Sequence, residues 1–325
     1  MTGDLIEPGR VRTSVLQRLP GRNRYFRALA PLYPAVFEAF DLSAYDVVVS
    51  STTSWAKGVR TRPDAVHVCY IHTVSRFLFA YDAYVGGIAG RRVLANAARP
   101  LVGRLAAWDR EAARRPTAYV ANSRNVAERV RRYYEREAEV LPGPVDLERW
   151  PLGTGRGEYF IVVSRLLPYK RVDLAIDACA LAGVPLLVVG TGPVERALRE
   201  RARGTTTTLL GFLPDDQVSR LVGEARALIL PGEEDYGLVP IEAAAAGTPT
   251  IAYAAGGALE TVVAGRTGEF FADPRPESLA AVLRAFERRR YPAERLRAHA
   301  EQYAPDRFRR CFRAIVDRIV AEKRR

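Results

Sequence analysis

Two glutamates in one short segment are the strongest chemical signal in the chain. The segment PGEEDYGLVPIEAAAAGTP, residues 231–249, places Glu234 and Glu242 eight positions apart, with Gly237 and the start of a predicted helix between them. Backbone N–H groups at a helix start favour a phosphate, and carboxylates accept hydrogen bonds from sugar hydroxyls. Taken alone, Glu234 is more simply explained as an exposed acid in a loop. Taken alone, Glu242 is more simply explained as an acid in the first turn of a helix. Their joint placement after an apolar strand indicates a sugar-nucleotide site.

Two cations stand at the end of another predicted strand, in VSRLLPYKR, residues 163–171. Arg165 and Lys170 are suited to neutralise the charge that develops on a diphosphate leaving group. The alternative is a pair of solvated side chains, which the helix dipole disfavours at a helix start. No DxD-type acidic cluster is evident in the sequence. The pattern therefore predicts charge neutralisation by fixed cations and no metal site.

Tight glycine turns follow two further strands, at Gly190 and Gly192 and at Gly256 and Gly257. Such glycine pairs often do no more than allow the backbone to make a tight turn. Because the turns fall along one predicted sheet edge, they also favour a continuous crevice lined by backbone.

His72 ends a predicted strand of the first half, in HVCYIHT. His67 lies five residues earlier and is expected on the opposite face of that strand. A single histidine is most often structural, but a strand end that faces a second domain also suits a contact with a donor sugar.

The elements that position these residues alternate along the second half of the chain. Alternating strands and helices predict parallel βαβ units, whose ligands bind beyond the carboxyl ends of the strands. The predicted strands are 159–163, 185–189, 207–210, 225–230 and 250–253, and the predicted helices are 172–181, 195–203, 215–222 and 238–246.

The first half is less regular. Its predicted strands are 46–50, 65–71, 118–121 and 138–141, with a long helix over 91–114 and a Pro- and Gly-rich linker over 142–157. No convincing strand is predicted in the first 45 residues. The tail, residues 307–325, is predicted to be an amphipathic helix with Phe308, Phe312, Ile315 and Ile319 on one face, which packs on the first domain.

Composition limits the classes of protein. No apolar run approaches the roughly 20 residues that span a bilayer, and three separated cysteines indicate buried thiols of a reducing, cytoplasmic compartment. The net charge is +12, of which residues 1–150 carry +8. The charge of this half predicts peripheral contact with anionic lipid at the inner face of the membrane. A surface of solvated arginines is an equally simple explanation of the charge.

We find no nucleic-acid recognition motif in the sequence.

Four motifs together identify a family. SRLLPYKRVD, LLGFLPDDQ, PGEEDYGLVPIEAAAAGTP and GGALETV resemble glycosyltransferase family 4, retaining enzymes of the α/β GT-B fold with two Rossmann-like domains facing across a cleft. The resemblance extends to the first half through FDLSAYDVVVSST, AKGV, YIHT and VANSRNVAERV. It is strongest to bacterial mannosyltransferases of polysaccharide and lipid-linked glycan synthesis.

The resemblance implies a role for each matched residue. Glu234 meets the donor sugar and Glu242 the ribose, while Arg165 and Lys170 meet the diphosphate. His72 approaches the transferred sugar, although Val74 stands where proline is common in the family. The residues expected to line the sugar, phosphate and base are Gly190, Phe212, Leu213, Gly237, Leu238 and Val239. The implied reaction moves a hexose, with GDP-mannose favoured over a UDP-sugar, to a saccharide or lipid-linked acceptor without a cofactor.

The resemblance also implies the domain layout. Residues 1–145 form an acceptor-side domain that is expected to lack the family's first strand and Gly-rich turn. Residues 146–304 form the nucleotide-sugar domain, and residues 305–325 form a helix that returns to the first domain. Two alternatives remain at this point: a truncated protein that binds a nucleotide sugar without transfer, and another sugar-nucleotide enzyme of this fold, such as an epimerase.

Overall fold

Two parallel β-sheets organise the chain, one in each half. The structure, a computed structural model, describes residues 11–20, 28–81, 92–155 and 157–325. The first sheet has the order β1-β2-β3-β4, with strands Val47–Thr52, Val66–Ile71, Ala118–Ala121 and Ala138–Val140. The second has the order β10-β9-β8-β5-β6-β7. Its strands, from β5 to β10, are Phe160–Val163, Leu186–Val189, Thr207–Gly211, Ala227–Leu230, Thr250–Tyr253 and Gly268–Phe271.

Helices cover both sheets. In the first half, α1 to α4 are Tyr33–Glu38, Arg76–Phe79, Arg92–Ala112 and Arg124–Tyr134. In the second half, α5 to α9 are Val172–Ala182, Glu195–Arg201, Asp215–Glu224, Leu238–Ala245 and Ala258–Thr261. The last three, α10 to α12, are Pro276–Ala285, Ala293–Glu301 and Pro305–Lys323. Within the described ranges, no helix is both long and apolar enough to cross a membrane.

The α/β architecture predicted from strand–helix alternation is confirmed. Every predicted strand is present to within a few residues at its ends. The long predicted helix is α3, although its first predicted residue, Arg91, lies outside the described residues. Over residues 11–20 and 28–45, the described part of the N-terminal segment, no strand is seen.

Seven elements were not predicted: α1, α2, α4, α9, α10, α11 and β10. Helices α1, α2 and α9 have only six, four and four residues, too few for a helical period to show. The longer helices α4, α10 and α11 carry exposed arginines that dilute their apolar face, and four-residue β10 (Gly268–Phe271) holds a glutamate in its middle. A strand of that length is too short for an alternating pattern to be recognised.

A fully buried ion pair lies in the first domain. Lys57 donates to the carboxylate of Asp109 on α3, and neither side chain is exposed to solvent. The Lys57 ammonium also donates to the carbonyl of Ser54 at 2.6 Å, and the hydroxyl of Tyr134 on α4 donates to Asp109 Oδ2 at 2.7 Å. This cluster joins the loop after β1 to helices α3 and α4 beneath the first sheet.

The last helix, α12, packs on the first sheet. Its residues Ile315 and Ile319 are buried against Val66, Val68 and Val120. The ring of Tyr70 on β2 lies edge-on to Phe308 and Phe312, at centroid distances of 5.3 Å and 5.8 Å. One face of the first sheet is thus covered by residues from the far end of the chain.

Candidate active site

Three loops meet beyond the carboxyl ends of the second sheet. The loop after β8 approaches the loop after β5 so closely that a Cβ at Gly232 would lie 2.5 Å from the carbonyl oxygen of Tyr169. The Gly257 N–H in the loop after β9 donates to the carbonyl of Glu234 at 2.8 Å. Because only glycine permits the first of these approaches, the sequence itself brings the loops of Lys170 and Glu234 together.

Lys170 and Glu234 form an ion pair at this edge. The Lys170 ammonium donates to Glu234 Oε1, and each side chain is 19% exposed. The cation and the acid that the sequence placed in separate motifs are therefore direct partners. The two charges neutralise each other, so a phosphate or sugar hydroxyl that enters the site has to share them.

The N-terminus of α8 lies beside this pair. Gly237 precedes the helix with a φ of 84°, the left-handed region that glycine adopts without strain. No side chain caps the helix at this residue. The first-turn N–H groups of Leu238 and Val239 have no partner within the helix, which makes this end of α8 a suitable anion site.

A cavity of about 450 Å³ opens next to the start of α8. Six residues predicted from the sequence line it: Arg165, Gly190, Phe212, Leu213, Val239 and Glu242. Phe212 is 78% exposed, so its ring is available at the rim of the cavity. An aromatic ring over a pocket of this volume suits a nucleoside.

The Glu242 carboxylate points into this cavity without a hydrogen-bond partner among the described residues. Burial raises its pKa to about 7; nearby Arg149 acts in the opposite direction and Asp215 in the same direction. Arg165 is exposed and also makes no ion pair with a described residue. A partly buried acid without a partner is the group that a hydroxyl-bearing ligand would satisfy.

The raised pKa of Glu242 predicts how stability depends on pH. The carboxyl has an ordinary pKa of 4.5 and a folded-state pKa of about 7. Since the folded state holds the proton longer, the contribution of Glu242 is fully present below pH 4.5 and is lost as pH rises through 7. The loss is on the order of 3 kcal/mol.

Urea denaturation of the wild type and Glu242→Gln at pH 5 and pH 8 measures this effect. Glutamine has nearly the same shape as glutamate, and its side chain does not titrate. We therefore expect the free energy of unfolding of the wild type to fall relative to that of Glu242→Gln between pH 5 and pH 8. An equal difference between the two proteins at both pH values would show that Glu242 is not desolvated.

His72 directly follows the last residue of β2, in the first domain. Its Nε2 is 2.8 Å from the hydroxyl of Ser51, and its ring lies edge-on to Tyr70 at 5.1 Å. Burial lowers its pKa below the ordinary value. No hydrogen bond joins it to another predicted site residue in the described part of the chain. His67 instead bonds to Ser50 at 2.8 Å.

The two domains are joined directly beside the Lys170–Glu234 pair. Glu260 on α9 accepts hydrogen bonds from the N–H groups of Arg124 and Asn125 at 2.8 Å and 2.9 Å. A carboxylate of the second domain thus caps the N-terminus of α4 in the first, a position that the helix dipole favours. Asp235, the residue after Glu234, is bound by Arg76 and Arg129 of the first domain.

Two family models cover nearly the whole chain. The model of Glycosyl transferases group 1 matches residues 146–307, and that of Glycosyltransferase Family 4 matches residues 2–149. The chain belongs to the family 4, group 1 glycosyltransferases. The first model contains the whole cavity and the Lys170–Glu234 pair of this glycosyltransferase, and the second contains His72.

Curated relatives of this glycosyltransferase match over part of their length. Glycogen synthase of Mycobacterium tuberculosis is 34% identical over 46% of this chain and 39% of its own. D-inositol 3-phosphate glycosyltransferase of Geodermatophilus obscurus is 35% identical over 57% of this chain and 48% of its own. The GDP-mannose-dependent alpha-(1-6)-phosphatidylinositol dimannoside mannosyltransferase of M. tuberculosis is 34% identical over 42% of this chain and 38% of its own. The chain spans less than half of each of these relatives.

A solved structure has the same fold. Sucrose-phosphate synthase from Thermosynechococcus elongatus superposes with a TM-score of 0.71 and 18% identity, over 93% of this glycosyltransferase and 80% of that chain. The predicted two-domain GT-B fold is confirmed by this likeness.

Several residues of the cavity in this glycosyltransferase were missed by the sequence analysis. They are Arg149, Trp150, Ser164, Thr191 and Asp215. Arg149 and Trp150 fall in the segment that its Pro and Gly content marks only as a linker. Asp215 stands in the LPDDQ motif directly after Leu213 and Pro214, so the motif itself could have indicated it.

Proposed function

We propose that this protein transfers a hexose from a nucleoside diphosphate sugar to an acceptor hydroxyl, with retention at the anomeric carbon. The observation that carries the proposal is the pair of carboxylates on either side of the α8 N-terminus. Glu234 is bound to Lys170, and Glu242 stands in the adjoining cavity without a hydrogen-bond partner among the residues that the structure describes. A ligand with hydroxyls at both ends and phosphates in the middle fits this order.

Each part of the donor has a matching group. The ribose hydroxyls donate to Glu242, and the base lies against Phe212 and Leu213 at the rim. The diphosphate meets the N–H groups at the start of α8. Its charge is further neutralised by Lys170 and by the exposed Arg165.

The transfer breaks one bond and forms one. The bond between the anomeric carbon and the phosphate oxygen breaks, and the acceptor oxygen bonds to that carbon on the same face. The acceptor proton passes to the leaving phosphate oxygen, so no protein nucleophile is required. Lys170 stabilises the charge that develops on the diphosphate, while Glu234 orients the sugar hydroxyls. His72 approaches the transferred sugar from the first domain.

GDP-mannose is our proposed donor, and a saccharide or a lipid-linked saccharide our proposed acceptor. Motif similarity to bacterial mannosyltransferases supports the choice, as does one relative that is GDP-mannose-dependent by name. The basic first half of the chain, at +8, suits an acceptor presented at an anionic membrane surface.

Nucleotide release in the presence of candidate acceptors tests the proposal. We expect GDP-mannose to be consumed faster than UDP-glucose or UDP-N-acetylglucosamine, and turnover to continue in excess chelator. Complete loss of turnover in chelator would exclude charge neutralisation by Lys170 and Arg165 alone. Tight nucleotide binding with no transfer to any acceptor would instead indicate a binding protein. Conversion of the donor to an epimer without acceptor would contradict glycosyl transfer.

A further inference from the structure

Arg76, the first residue of α2 in the first domain, contacts the residues that flank the Lys170–Glu234 pair. Its Nε donates to Asp235 Oδ2 and its Nη2 to Asp235 Oδ1, both at 2.8 Å. Its guanidinium lies 4.9 Å from the ring centroid of Tyr169. Asp235 directly follows Glu234, and Tyr169 directly precedes Lys170. One side chain thus spans both loops of the pair.

The geometry of these contacts fixes orientation as well as distance. A guanidinium that binds a carboxylate through two parallel hydrogen bonds holds the carboxylate plane in one orientation. Arg76 and Asp235 are each only 16% exposed, so water screens their attraction less than at an open surface. The cation over Tyr169 adds a second, independent attachment.

Arg129 provides a natural comparison. It lies on α4 of the first domain and donates to the same Asp235 carboxylate, with Nε at 3.3 Å from Oδ1. Its other contact is to Glu233, at 3.0 Å. Arg129 therefore helps to hold the domains together through Asp235 and Glu233.

We propose that Arg76 is a positioning residue that sets Glu234 and Lys170 for the reaction by binding Asp235 and Tyr169 across the domain boundary. The inference rests on the proposed transfer function and adds to it a residue of the opposite domain. Because Arg76 belongs to the first domain, its contribution to the orientation of the ion pair is present only while the two domains are in contact. Contact between the two domains is thereby linked to the orientation of Glu234 and Lys170 in the site.

Kinetics of Arg76→Ala and Arg129→Ala separate positioning from general domain docking. We expect Arg76→Ala to lower kcat on the order of 100-fold, a loss that a misplacement of reacting groups by about 1 Å can cause. The change in donor KM should be much smaller. Arg129→Ala should lower kcat only a few-fold. Arg76→Lys keeps the charge without the two parallel bonds and is expected to recover part of the loss.

Lysine reactivity gives a second measurement that needs no turnover. The chain has only three lysines, Lys57, Lys170 and Lys323, and Lys57 is fully buried. Reductive methylation followed by mass spectrometry therefore reports on Lys170, with Lys323 as internal reference. We expect Lys170 to be methylated several-fold faster in Arg76→Ala than in the wild type or in Arg129→Ala.

Equal losses of kcat in the two alanine variants, with equal Lys170 reactivity, would overturn the inference. A wild type that transfers no sugar from any donor would contradict the proposed function instead, and Lys170 reactivity would still test the positioning. If Arg76→Ala fails to fold, Arg76→Lys is compared with Arg129→Lys by the same two measurements, and equal values again overturn the inference.

Discussion

Replacement of Lys170 with alanine is expected to lower kcat for sugar transfer by roughly 100- to 1,000-fold, as removal of one transition-state donor does in other enzymes. The ammonium forms an ion pair with Glu234, and it lies beside the α8 N-terminus where the diphosphate is proposed to bind. Its loss removes a cation from the leaving group and also frees the acid that orients the sugar. Steady-state kinetics with saturating donor measures the effect.

Stability is expected to change little in this variant. The pair is partly exposed, and pairs of this kind contribute about 1 kcal/mol or less, which corresponds to a shift in Tm of about 4 °C or less for a domain of this size. Arg203→Ala is a suitable control because it removes a cation from an exposed pair with Glu200 on the same domain. A Lys170→Ala enzyme with kcat within tenfold of the control would rule out the proposed role of the lysine.

Replacement of Lys57 with methionine is expected to have the largest effect on stability, a loss of about 3–5 kcal/mol. Lys57 and Asp109 are both fully buried. Removal of the ammonium therefore leaves a carboxylate in the interior whose one remaining hydrogen bond from a described residue comes from the Tyr134 hydroxyl. Urea denaturation followed by circular dichroism measures the loss. We expect the first domain to unfold before the second.

The double variant Lys57→Met with Asp109→Leu provides the matched control. Replacing both charges with apolar groups of similar volume is often neutral or stabilising, so much of the lost stability should return. A double variant as unstable as the single one would indicate that packing around Lys57, and not an uncompensated charge, explains the loss. The exposed pair Arg313–Asp317 serves as the reference for an ion pair without measurable contribution.

The meeting of Lys170 and Glu234 could be predicted in outline from the sequence. Each follows an apolar strand, and the carboxyl ends of parallel strands lie at one edge of a sheet. Their strands, β5 and β8, turned out to be neighbours. The ion pair itself could not be predicted, because it depends on the close approach at Gly232, which sequence spacing does not specify.

The contacts between domains were beyond prediction for a different reason. Periodicity and turn residues describe local structure, whereas the bonds from Arg76 to Asp235 and from Glu260 to α4 depend on how the two domains are placed. Asp235 stands in the segment PGEEDYGLVPIEAAAAGTP, but no role was predicted for it. Arg76 belongs to no motif that the sequence analysis used, and α4 was not predicted as a helix.

The position of α12 has a consequence for how the chain is synthesised. The face of the first sheet formed by Val66, Val68 and Tyr70 packs against side chains of α12, residues Pro305–Lys323. At 5–20 residues per second, a ribosome needs roughly 10–40 s to pass from the end of β4 to the end of α12. During that time the apolar face of the nascent first domain is open to chaperones and to other nascent chains.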